Sequence, residues 1–255
     1  MKLASKQIVI DMKARQAEQV AALGRKLKLV IVRDNDDPVI AKYVGLKVRY
    51  GAEIGVEVED ALVESDELAD AIARANREAD GLIVQLPIVD KNRTDEMIAL
   101  IDPAKDVDGL TGVGPCASAT AMAVDLLIRG HDIDLEQRKI ALVGHGRLVG
   151  APLAKMWRDR GLKFTVFCSK DDLSDLINYD LIVTAVGKPG LIKPDMVVAD
   201  AIVVDAGTAS EDGVIRGDVA DEMRERTDVS ITPKIGGVGP LTVCGLFENL
   251  LKVAH

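Results

Sequence analysis

Short apolar runs alternate with helical-looking stretches along most of this chain. In the N-terminal half, apolar runs at 27–33, 55–63 and 82–86 are separated by amphipathic stretches at 38–53 and 65–78. Such a β-α-β-α-β pattern requires a parallel sheet, because consecutive parallel strands are joined by a crossover helix, and the crossover is right-handed. Ser65 stands where the second helix begins and is predicted to cap it.

The same alternation returns after a glycine-rich junction near residues 110–120. A helix is predicted there over 118–129. The elements predicted beyond it are strands at 139–144, 164–167, 180–187 and 201–205, a helix at 148–159 and a final helix at 241–255. The pattern therefore predicts an α/β protein made of two units, each with a mostly parallel sheet.

Composition excludes several classes of protein. The net charge of −9 and the pI near 5.0 argue against a nucleic-acid binder. Three scattered cysteines, Cys116, Cys168 and Cys244, are too few for a disulfide scaffold or a zinc site, so no metal is predicted. The N-terminus lacks an apolar signal core and no apolar run reaches membrane-spanning length, so we expect a cytoplasmic protein with no membrane partner.

A glycine-rich turn joins the predicted strand 139–144 to the predicted helix 148–159. Its glycines are Gly144, Gly146 and Gly150, a Gly-x-Gly-x-x-x-Gly spacing. Glycine allows the backbone to approach a pyrophosphate, and the helix N-terminus offers N–H groups and a positive dipole end. The turn therefore predicts a nucleotide site, although structural turns of this kind are also common.

The end of the next strand bears on which nicotinamide cofactor is used. An acid at this position holds the ribose hydroxyls in sites that prefer NAD, whereas this chain has Ser169 and Lys170. A hydroxyl and a cation suit a 2′-phosphate, so NADP is predicted. NAD remains possible, because Asp171 and Asp172 follow directly and can turn toward a ribose.

Four polar residues in the N-terminal half suggest a catalytic site. Tyr43 and Lys47 are spaced i, i+4 on a predicted helix, which places them on one face. Gln85 ends a predicted strand, and Asp108 lies in a turn that also contains Asp106. A tyrosine and a lysine at this spacing are common on helix surfaces. The pair indicates a catalytic site only in combination with Gln85 and Asp108.

Six separated motifs carry a family resemblance over nearly the whole chain. They are Tyr43-x-x-x-Lys47, Val84-Gln85-Leu-Pro87, Lys105-Asp106-Val-Asp108-Gly109, Val186-Gly-Lys-Pro189, Gly217-Asp218-Val219 and Ile231-Thr-Pro233…Gly236-Gly-Val-Gly-Pro240-x-Thr-Val243. In this order they resemble the methylenetetrahydrofolate dehydrogenase/methenyltetrahydrofolate cyclohydrolase family. The resemblance implies a folate-binding catalytic domain over 1–115, to which the helix 241–255 returns, and a Rossmann-like dinucleotide-binding domain over 116–240.

The resemblance also implies an activity and a site. Methylenetetrahydrofolate would be oxidised by NADP to the methenyl form, which water then converts to formyltetrahydrofolate. The implied catalytic residues are Lys47, Gln85 and Asp108. In this family pattern Lys47 transfers protons, Gln85 forms a hydrogen bond to Lys47 and modulates its reactivity, and Asp108 binds the pterin by accepting its N–H groups. The implied substrate-binding residues are Tyr43, Gly239 and Pro240. The predicted cofactor-binding residues are Gly144, His145, Gly146, Arg147, Ser169, Lys170, Val186, Gly187 and Thr208. A homodimer is expected from the family's habit.

Three departures from the family pattern bear on these expectations. The loop after Gly109 is short, and Pro115-Cys-Ala-Ser-Ala-Thr120 stands where the family has Pro-Cys-Thr-Pro-x-Gly. Gly144-His145-Gly146 replaces Gly-Arg-Ser, which removes an arginine suited to a 2′-phosphate and leaves Arg147 or His145 as substitutes. Lys234-Ile235 replaces Val-Pro before the double glycine and places a lysine near the expected nicotinamide edge.

Two other hypotheses remain open from the sequence. The first is another two-domain NAD(P)-dependent dehydrogenase, similar to shikimate dehydrogenase, which also uses a Lys–Asp pair but has no aromatic residue one turn before the lysine. The second is a folate- or nucleotide-binding protein without turnover.

Overall fold

The computed structural model describes residues 1–211 and 214–254. The chain divides into two compact units. The N-terminal unit comprises Ile10–Ala119 and Val243–His255, and the central unit comprises Met1–Val9 and Thr120–Thr242.

The N-terminal unit is built around a three-stranded parallel sheet. Its elements, some shared with the other unit, are α1 (Lys6–Ala22), β1 (Lys28–Arg33), α2 (Pro38–Ile54), β2 (Glu57–Leu62), α3 (Leu68–Glu78), β3 (Gly81–Val84), α4 (Thr94–Ala99) and α7 (Val238–Val253). The strand order is β2-β1-β3, with Val32 of β1 opposite Ala61 and Val84. Since all three strands run the same way, the residues that follow them share one edge of the sheet.

Helix α2 carries two of the predicted site residues, and its ends are set by local sequence. Asp37 is the N-cap and accepts a hydrogen bond from the backbone N–H of Val39 at 2.7 Å, and Pro38 occupies the first turn. Gly55 ends the helix in the left-handed conformation at φ 86°. The observed helix agrees with the predicted 38–53 to within one residue.

The central unit is a doubly wound α/β fold. Its elements are α5 (Ala119–Gly130), β4 (Ile140–Val143), α6 (Gly150–Asp159), β5 (Phe164–Phe167), β6 (Leu181–Thr184), β7 (Ile202–Asp205), β8 (Ala209–Glu211), β9 (Val214–Arg216) and β10 (Ser230–Ile231), together with parts of α1 and α7. The five-stranded sheet is parallel throughout with the order β10-β7-β6-β4-β5. The chain reverses direction across the sheet between β4 and β6, where ligands bind in such folds.

The first nine residues pack with the central unit. The N–H of Leu3 donates to the carbonyl oxygen of Ile231 at 2.9 Å, and the N–H of Ile231 donates to that of Met1 at 2.9 Å. These bonds extend the sheet beyond its edge strand. The predicted domain ranges of 1–115 and 116–240 place these nine residues in the other domain.

Each unit has its own apolar core. In the N-terminal unit the buried core includes Val32, Leu68, Ile72, Leu82 and Met97. In the central unit it includes Ala141, Val143, Ile182, Val203 and Ile231. The prediction of an α/β chain with two mostly parallel sheets is confirmed. Among the residues that the structure describes, no helix combines the length and apolarity needed to cross a membrane.

Two features differ from what the sequence indicates. The predicted cap at Ser65 is wrong, because α3 begins at Leu68 after Glu67, and the Ser65 hydroxyl donates instead to a carboxylate oxygen of Asp34 at 2.8 Å. Helix α1 is not evident from the sequence. Its buried residues, Met12, Gln16 and Val20, form a stripe too narrow to give a clear amphipathic pattern.

Candidate active site

Lys47 lies on the buried face of α2. The buried stripe of this helix includes Ile40, Val44, Lys47 and Ile54, and Lys47 is only 9% exposed. Lysine is rarely buried in an apolar stripe unless it is paired or functional. Burial lowers the pKa of the Lys47 amine, while the negative charges of Asp108 and Asp60 partly oppose this effect.

Gln85 holds the Lys47 amine in place. The Nζ atom of Lys47 donates to the Oε1 atom of Gln85 at 2.5 Å. The Nε2 atom of Gln85 donates to the carbonyl oxygen of Leu86 at 2.8 Å, which leaves Oε1 directed at the lysine. Gln85 directly follows β3, and its N–H donates to the carbonyl oxygen of Val32 at 2.9 Å. The carboxyl edge of the sheet therefore delivers the amide to the lysine.

The loop after Gln85 is itself anchored by the end of β1. The side-chain amide of Asn35 donates to the carbonyl oxygen of Pro87 at 3.1 Å, and the N–H of Val89 donates to a carboxylate oxygen of Asp34 at 3.1 Å. These contacts limit the movement of the loop that carries the amide.

Asp108 acts electrostatically on the same lysine. Its side chain is half-buried, and desolvation raises the pKa of its carboxyl group. The positive charge of Lys47 opposes that rise, whereas the nearby carboxylate of Asp106 adds to it. A half-buried carboxylate is suited to accept two parallel N–H groups from a planar heterocycle.

Two residues outside the predicted set hold the Asp108 turn. Asp106 is buried and its Oδ2 atom accepts from the N–H and the hydroxyl of Thr111 at 2.7 and 2.8 Å. Asn249 is 2% exposed on α7, and its Nδ2 atom donates to the carbonyl oxygens of Val107 and Ala117 at 2.8 Å each. The sequence signal for this second contact is weak, because Asn249 stands beside Glu248 between two apolar pairs, Leu246-Phe247 and Leu250-Leu251.

Tyr43 lies one turn before Lys47 on α2 and is half-buried. Burial raises the pKa of its hydroxyl group, so the ring is neutral near pH 7. Of the predicted folate-side residues, the N-terminal unit contains Tyr43, Lys47, Gln85 and Asp108. Gly239 and Pro240 are exposed at the start of α7 and belong to the central unit.

The buried amine predicts a pH dependence of stability. Because the pKa of Lys47 is lowered by folding, the folded chain binds fewer protons than the unfolded chain between the lowered pKa and about 10.4, so stability rises with pH there. We expect the unfolding free energy of the wild type, relative to Lys47→Met, to increase as the pH approaches about 10.4. Denaturant unfolding of both proteins across this interval measures it, and a constant difference would contradict the prediction. The raised pKa of Asp108 acts with the opposite sign from about pH 3.9 upward. This effect is stronger in Lys47→Met, where the opposing lysine charge is absent, so it changes the difference between the two proteins in the same direction.

All nine predicted cofactor residues lie on loops at the carboxyl edge of the central sheet. In the register, Val143 of β4 stands opposite Phe167 and Thr184, and Thr184 stands opposite Asp205. Residues 144–147 follow β4, residues 169 and 170 follow β5, residues 186 and 187 follow β6, and residue 208 follows β7. Since the strands are parallel and in register, these loops share one edge.

The turn after β4 fits a phosphate group. Gly144 has φ 97°, and a Cβ there would lie 2.7 Å from the carbonyl oxygen of Ala185, so only glycine fits. A Cβ at Gly146 would meet nothing within 4 Å, which leaves open space above the turn. Val149 gives α6 no side-chain cap, so the helix N-terminus is not occupied by a capping oxygen from its own N-cap residue.

The turn after β5 presents Ser169 and Lys170 at the surface. The two acids that follow are engaged with the backbone. A carboxylate oxygen of Asp171 accepts from the N–H of Cys168 at 2.6 Å, and one of Asp172 accepts from that of Ser174 at 2.9 Å. Both acids therefore stabilise the loop, which weakens the case for a carboxylate that binds ribose hydroxyls.

The third departure from the family pattern, Lys234, is paired within the central unit. Its Nζ atom lies 3.1 and 3.4 Å from the two carboxylate oxygens of Asp221. The hydrogen bond from Lys234, together with the lysine charge, lowers the pKa of the exposed Asp221 carboxyl group.

Comparison with known proteins identifies the family. The tetrahydrofolate dehydrogenase/cyclohydrolase catalytic-domain model matches residues 2–108, and the NAD(P)-binding-domain model of the same family matches residues 116–255. This chain belongs to that family. The family membership that the six motifs indicate is thus confirmed. The part of this chain from residue 116 onward is the NAD(P)-binding domain of the family.

Individual relatives cover nearly the full length. The bifunctional protein FolD of Hydrogenobaculum sp. is 34% identical over 98% of this chain and 97% of its own. The crystal structure of the bifunctional FolD methylenetetrahydrofolate dehydrogenase/cyclohydrolase of Campylobacter jejuni has a TM-score of 0.88 at 31% identity, covering 100% of this chain and 98% of its own. The Trypanosoma brucei enzyme, complexed with NADP cofactor and inhibitor, has a TM-score of 0.87 at 26% identity, with 100% and 97% coverage.

Shikimate 5-dehydrogenase of Thermus thermophilus is more distant. Its TM-score is 0.56 at 14% identity, with 89% of this chain and 98% of its own covered. That likeness shows a shared fold alone, so the shikimate-dehydrogenase hypothesis gains no support beyond architecture.

Proposed function

We propose that this chain oxidises 5,10-methylenetetrahydrofolate to methenyltetrahydrofolate with NADP and hydrolyses the product to 10-formyltetrahydrofolate. The observation that carries the proposal is the 2.5 Å contact between the buried Lys47 amine and the Gln85 amide, in a member of the tetrahydrofolate dehydrogenase/cyclohydrolase family. Family membership supplies the reaction class, and the contact supplies the groups that perform the hydrolytic step.

Lys47 is the residue that moves protons. Hydrolysis begins when water adds to the methenyl carbon, and the adding water must lose a proton. An ordinary lysine is protonated near neutral pH and cannot accept it, but burial lowers the pKa of Lys47 and makes the neutral amine accessible. Gln85 accepts one N–H of the amine and thereby orients its lone pair. The hydroxyl group formed in this way then loses its proton as the C=O bond of the formyl group forms. The bond from the former methenyl carbon to N5 breaks in the same step, N5 gains a proton, and the formyl group stays on N10, so that one proton is released overall.

Asp108 and Tyr43 bind the pterin in this proposal. The carboxylate accepts two N–H groups from the aminopyrimidine edge, a bidentate arrangement that fixes the orientation of the ring. The neutral Tyr43 ring stacks on the flat heterocycle. Gly239 and Pro240 are proposed to contact the folate through the start of α7.

The pyrophosphate would be held at the N-terminus of α6 by Gly144, His145, Gly146 and Arg147. The positive φ of Gly144 and the open space at Gly146 support this proposal. Ser169 and Lys170 hold the 2′-phosphate. Val186, Gly187 and Thr208 line the nicotinamide side. NADP would supply the hydride acceptor for the methylene carbon, and this chemistry needs mainly that the residues on both sides position the two rings.

The chain is proposed to act in the cytoplasm as a homodimer with tetrahydrofolate derivatives as its partners. The three free cysteines suit a reducing compartment. The dimer is proposed on family resemblance alone.

An assay with methylenetetrahydrofolate and each nicotinamide cofactor in turn tests the proposed function. NADPH absorbance should rise first, and the absorbance of the methenyl product should then decay faster with enzyme than without it. Binding of both ligands without any absorbance change would instead support a non-catalytic binding protein. Turnover with shikimate, and none with the folate, would support the other dehydrogenase class.

NADP is expected to give a kcat/KM at least about tenfold higher than NAD, because Ser169 and Lys170 supply charge-assisted bonds to the 2′-phosphate. Lys170→Ala should reduce this preference. Lys163→Ala is the matched control, since Lys163 is an exposed lysine that directly precedes β5 and so lies at the opposite edge of the sheet. A higher kcat/KM with NAD, or an equal effect of the two substitutions, would contradict the cofactor assignment.

A further inference from the structure

A fully buried carboxylate lies behind the turn that follows β6. The Oδ2 atom of Asp218 accepts from the hydroxyl of Thr184 and from the N–H of Val186, both at 2.7 Å. Its Oδ1 atom accepts from the N–H of Lys188, also at 2.7 Å. One side chain thus binds the last residue of the strand and both arms of the turn around Gly187.

A second carboxylate supports the segment that carries the first. Asp205 ends β7, and its Oδ1 atom accepts from the N–H groups of Gly207 and Asp218 at 3.1 and 3.0 Å. Its Oδ2 atom accepts from the N–H of Val219 at 3.2 Å. A Cβ at residue 217 would lie 2.1 Å from Asp205 Oδ2, so Gly217 is required for this approach. Each position of the motif Gly217-Asp218-Val219 therefore has a role. Gly217 leaves room for the Asp205 carboxylate, which accepts from the N–H groups of Asp218 and Val219, and the Asp218 side chain in turn binds the turn after β6.

Arg224 completes the network. Its Nη2 atom donates to Asp205 Oδ2 at 2.5 Å, and its Nη1 atom donates to the carbonyl oxygen of Thr232 at 2.5 Å. The hydroxyl of Thr232 in turn accepts from the N–H of Asp205 at 3.0 Å. The guanidinium thus links the end of β7 to the segment that leads into the glycine-rich turn 236–239.

The network connects the turns that follow β6 and β7. A Cβ placed on Gly187 would lie 3.3 Å from the carbonyl oxygen of Thr208, so these two turns lie close together. Val186, Gly187 and Thr208 are three of the proposed cofactor residues. Their relative positions depend on hydrogen bonds to Asp218 and Asp205, neither of which is in the proposed binding set.

We propose that Asp218 is a positioning residue for the nicotinamide cofactor, held by Asp205 and Arg224, and that it fixes the shape of the turn 185–188. This inference rests on the proposed function only for the identity of the cofactor. The carboxylate acts through the backbone of the turn and does not touch the substrate or the cofactor itself.

Asp218→Asn is the first test. Three donors converge on the two carboxylate oxygens, so an amide must turn its NH₂ group toward at least one donor, and the turn must shift. We expect the Kd for NADPH, measured by fluorescence titration, to rise about tenfold or more. Hydrolysis of methenyltetrahydrofolate, measured without any nicotinamide, should stay within about twofold of wild type.

Asp125→Asn is the matched control for a purely structural effect. Asp125 is a buried carboxylate of the same unit, paired with Arg129 at 2.8 Å and with Arg160. Arg160 directly follows the last residue of α6, about 15 Å along the helix from the turn after β4. This variant should lower the Tm and leave the Kd for NADPH within about twofold of wild type.

Thr184→Val gives a milder second test that keeps the fold. It removes one of the three bonds to Asp218 while Val186 still satisfies Oδ2, and it should raise the Kd for NADPH about two- to fivefold. An unchanged Kd in this variant, or an equal loss of affinity in Asp125→Asn, would overturn the positioning role. The titration needs no folate, so it tests this role even if the wild-type chain fails to oxidise methylenetetrahydrofolate.

Discussion

Lys47→Ala is expected to slow the hydrolysis of methenyltetrahydrofolate by about 10²- to 10⁴-fold, the usual contribution of a positioned general acid–base group. Part of the dehydrogenase activity should remain, because hydride transfer requires no proton transfer by the lysine. The physical basis is the buried amine with a lowered pKa and its 2.5 Å contact with Gln85. Rates of NADPH formation and of methenyl decay, measured on the same preparation, separate the two steps.

Lys42→Ala provides the control for this variant. Lys42 is an exposed lysine on the same helix, so its removal changes net charge and helix composition equally without removing a buried amine. Both activities of Lys42→Ala should match the wild type. If Lys47→Ala, with its fold intact, loses both activities to the same extent, the assignment of Lys47 to the hydrolytic step is wrong.

Asp108→Asn is expected to raise the KM for the folate about 10- to 150-fold in both reactions, since the same pterin is bound in each. This range corresponds to about 1.5–3 kcal/mol for a hydrogen bond to a charged group. The pH profile of hydrolysis should also move to lower pH. The Asp108 charge raises the pKa of Lys47, so its removal lets burial lower that pKa further.

Asp102→Asn is the matched control for the pterin carboxylate. Asp102 is an exposed aspartate six residues earlier in the chain, where it accepts one backbone N–H from Ala104 at 2.9 Å. Its substitution should leave the KM for the folate unchanged. A normal KM in Asp108→Asn, or a loss confined to one of the two reactions, would show that this carboxylate does not bind the common pterin.

The parts of the fold that local sequence dictates are predictable. Helix α2 begins at Asp37 and Pro38 and ends at Gly55, and each of these residues has a local physical reason for its position. The strand–turn–helix unit around Gly144 is likewise set by an apolar run, by glycines and by the helix that follows. The contact between Lys47 and Gln85 depends on two local features. Lys47 lies on the buried face of α2, and Gln85 directly follows β3 at the carboxyl edge of the sheet.

The parts that depend on distant residues are not predictable from one sequence. Ser65 has a typical capping sequence, yet its hydroxyl bonds to Asp34, 31 residues away in the chain. Asn249 holds the carbonyl group of Val107 across 142 residues. The motif Gly217-Asp218-Val219 is visible in the sequence, but its role requires the positions of Thr184 and Asp205. Burial decides the protonation of Lys47, and burial is a property of the packed chain.

The most direct test of the proposed folate site is a crystal structure of this chain with a non-reactive tetrahydrofolate analogue. We expect the pterin to stack on Tyr43 and its aminopyrimidine edge to bond to Asp108. The one-carbon bridge should lie beside the Lys47 amine, with the hydrogen bond from the amine to Gln85 retained. A bound analogue that contacts none of these four side chains would contradict the proposed site and the mechanism built on it.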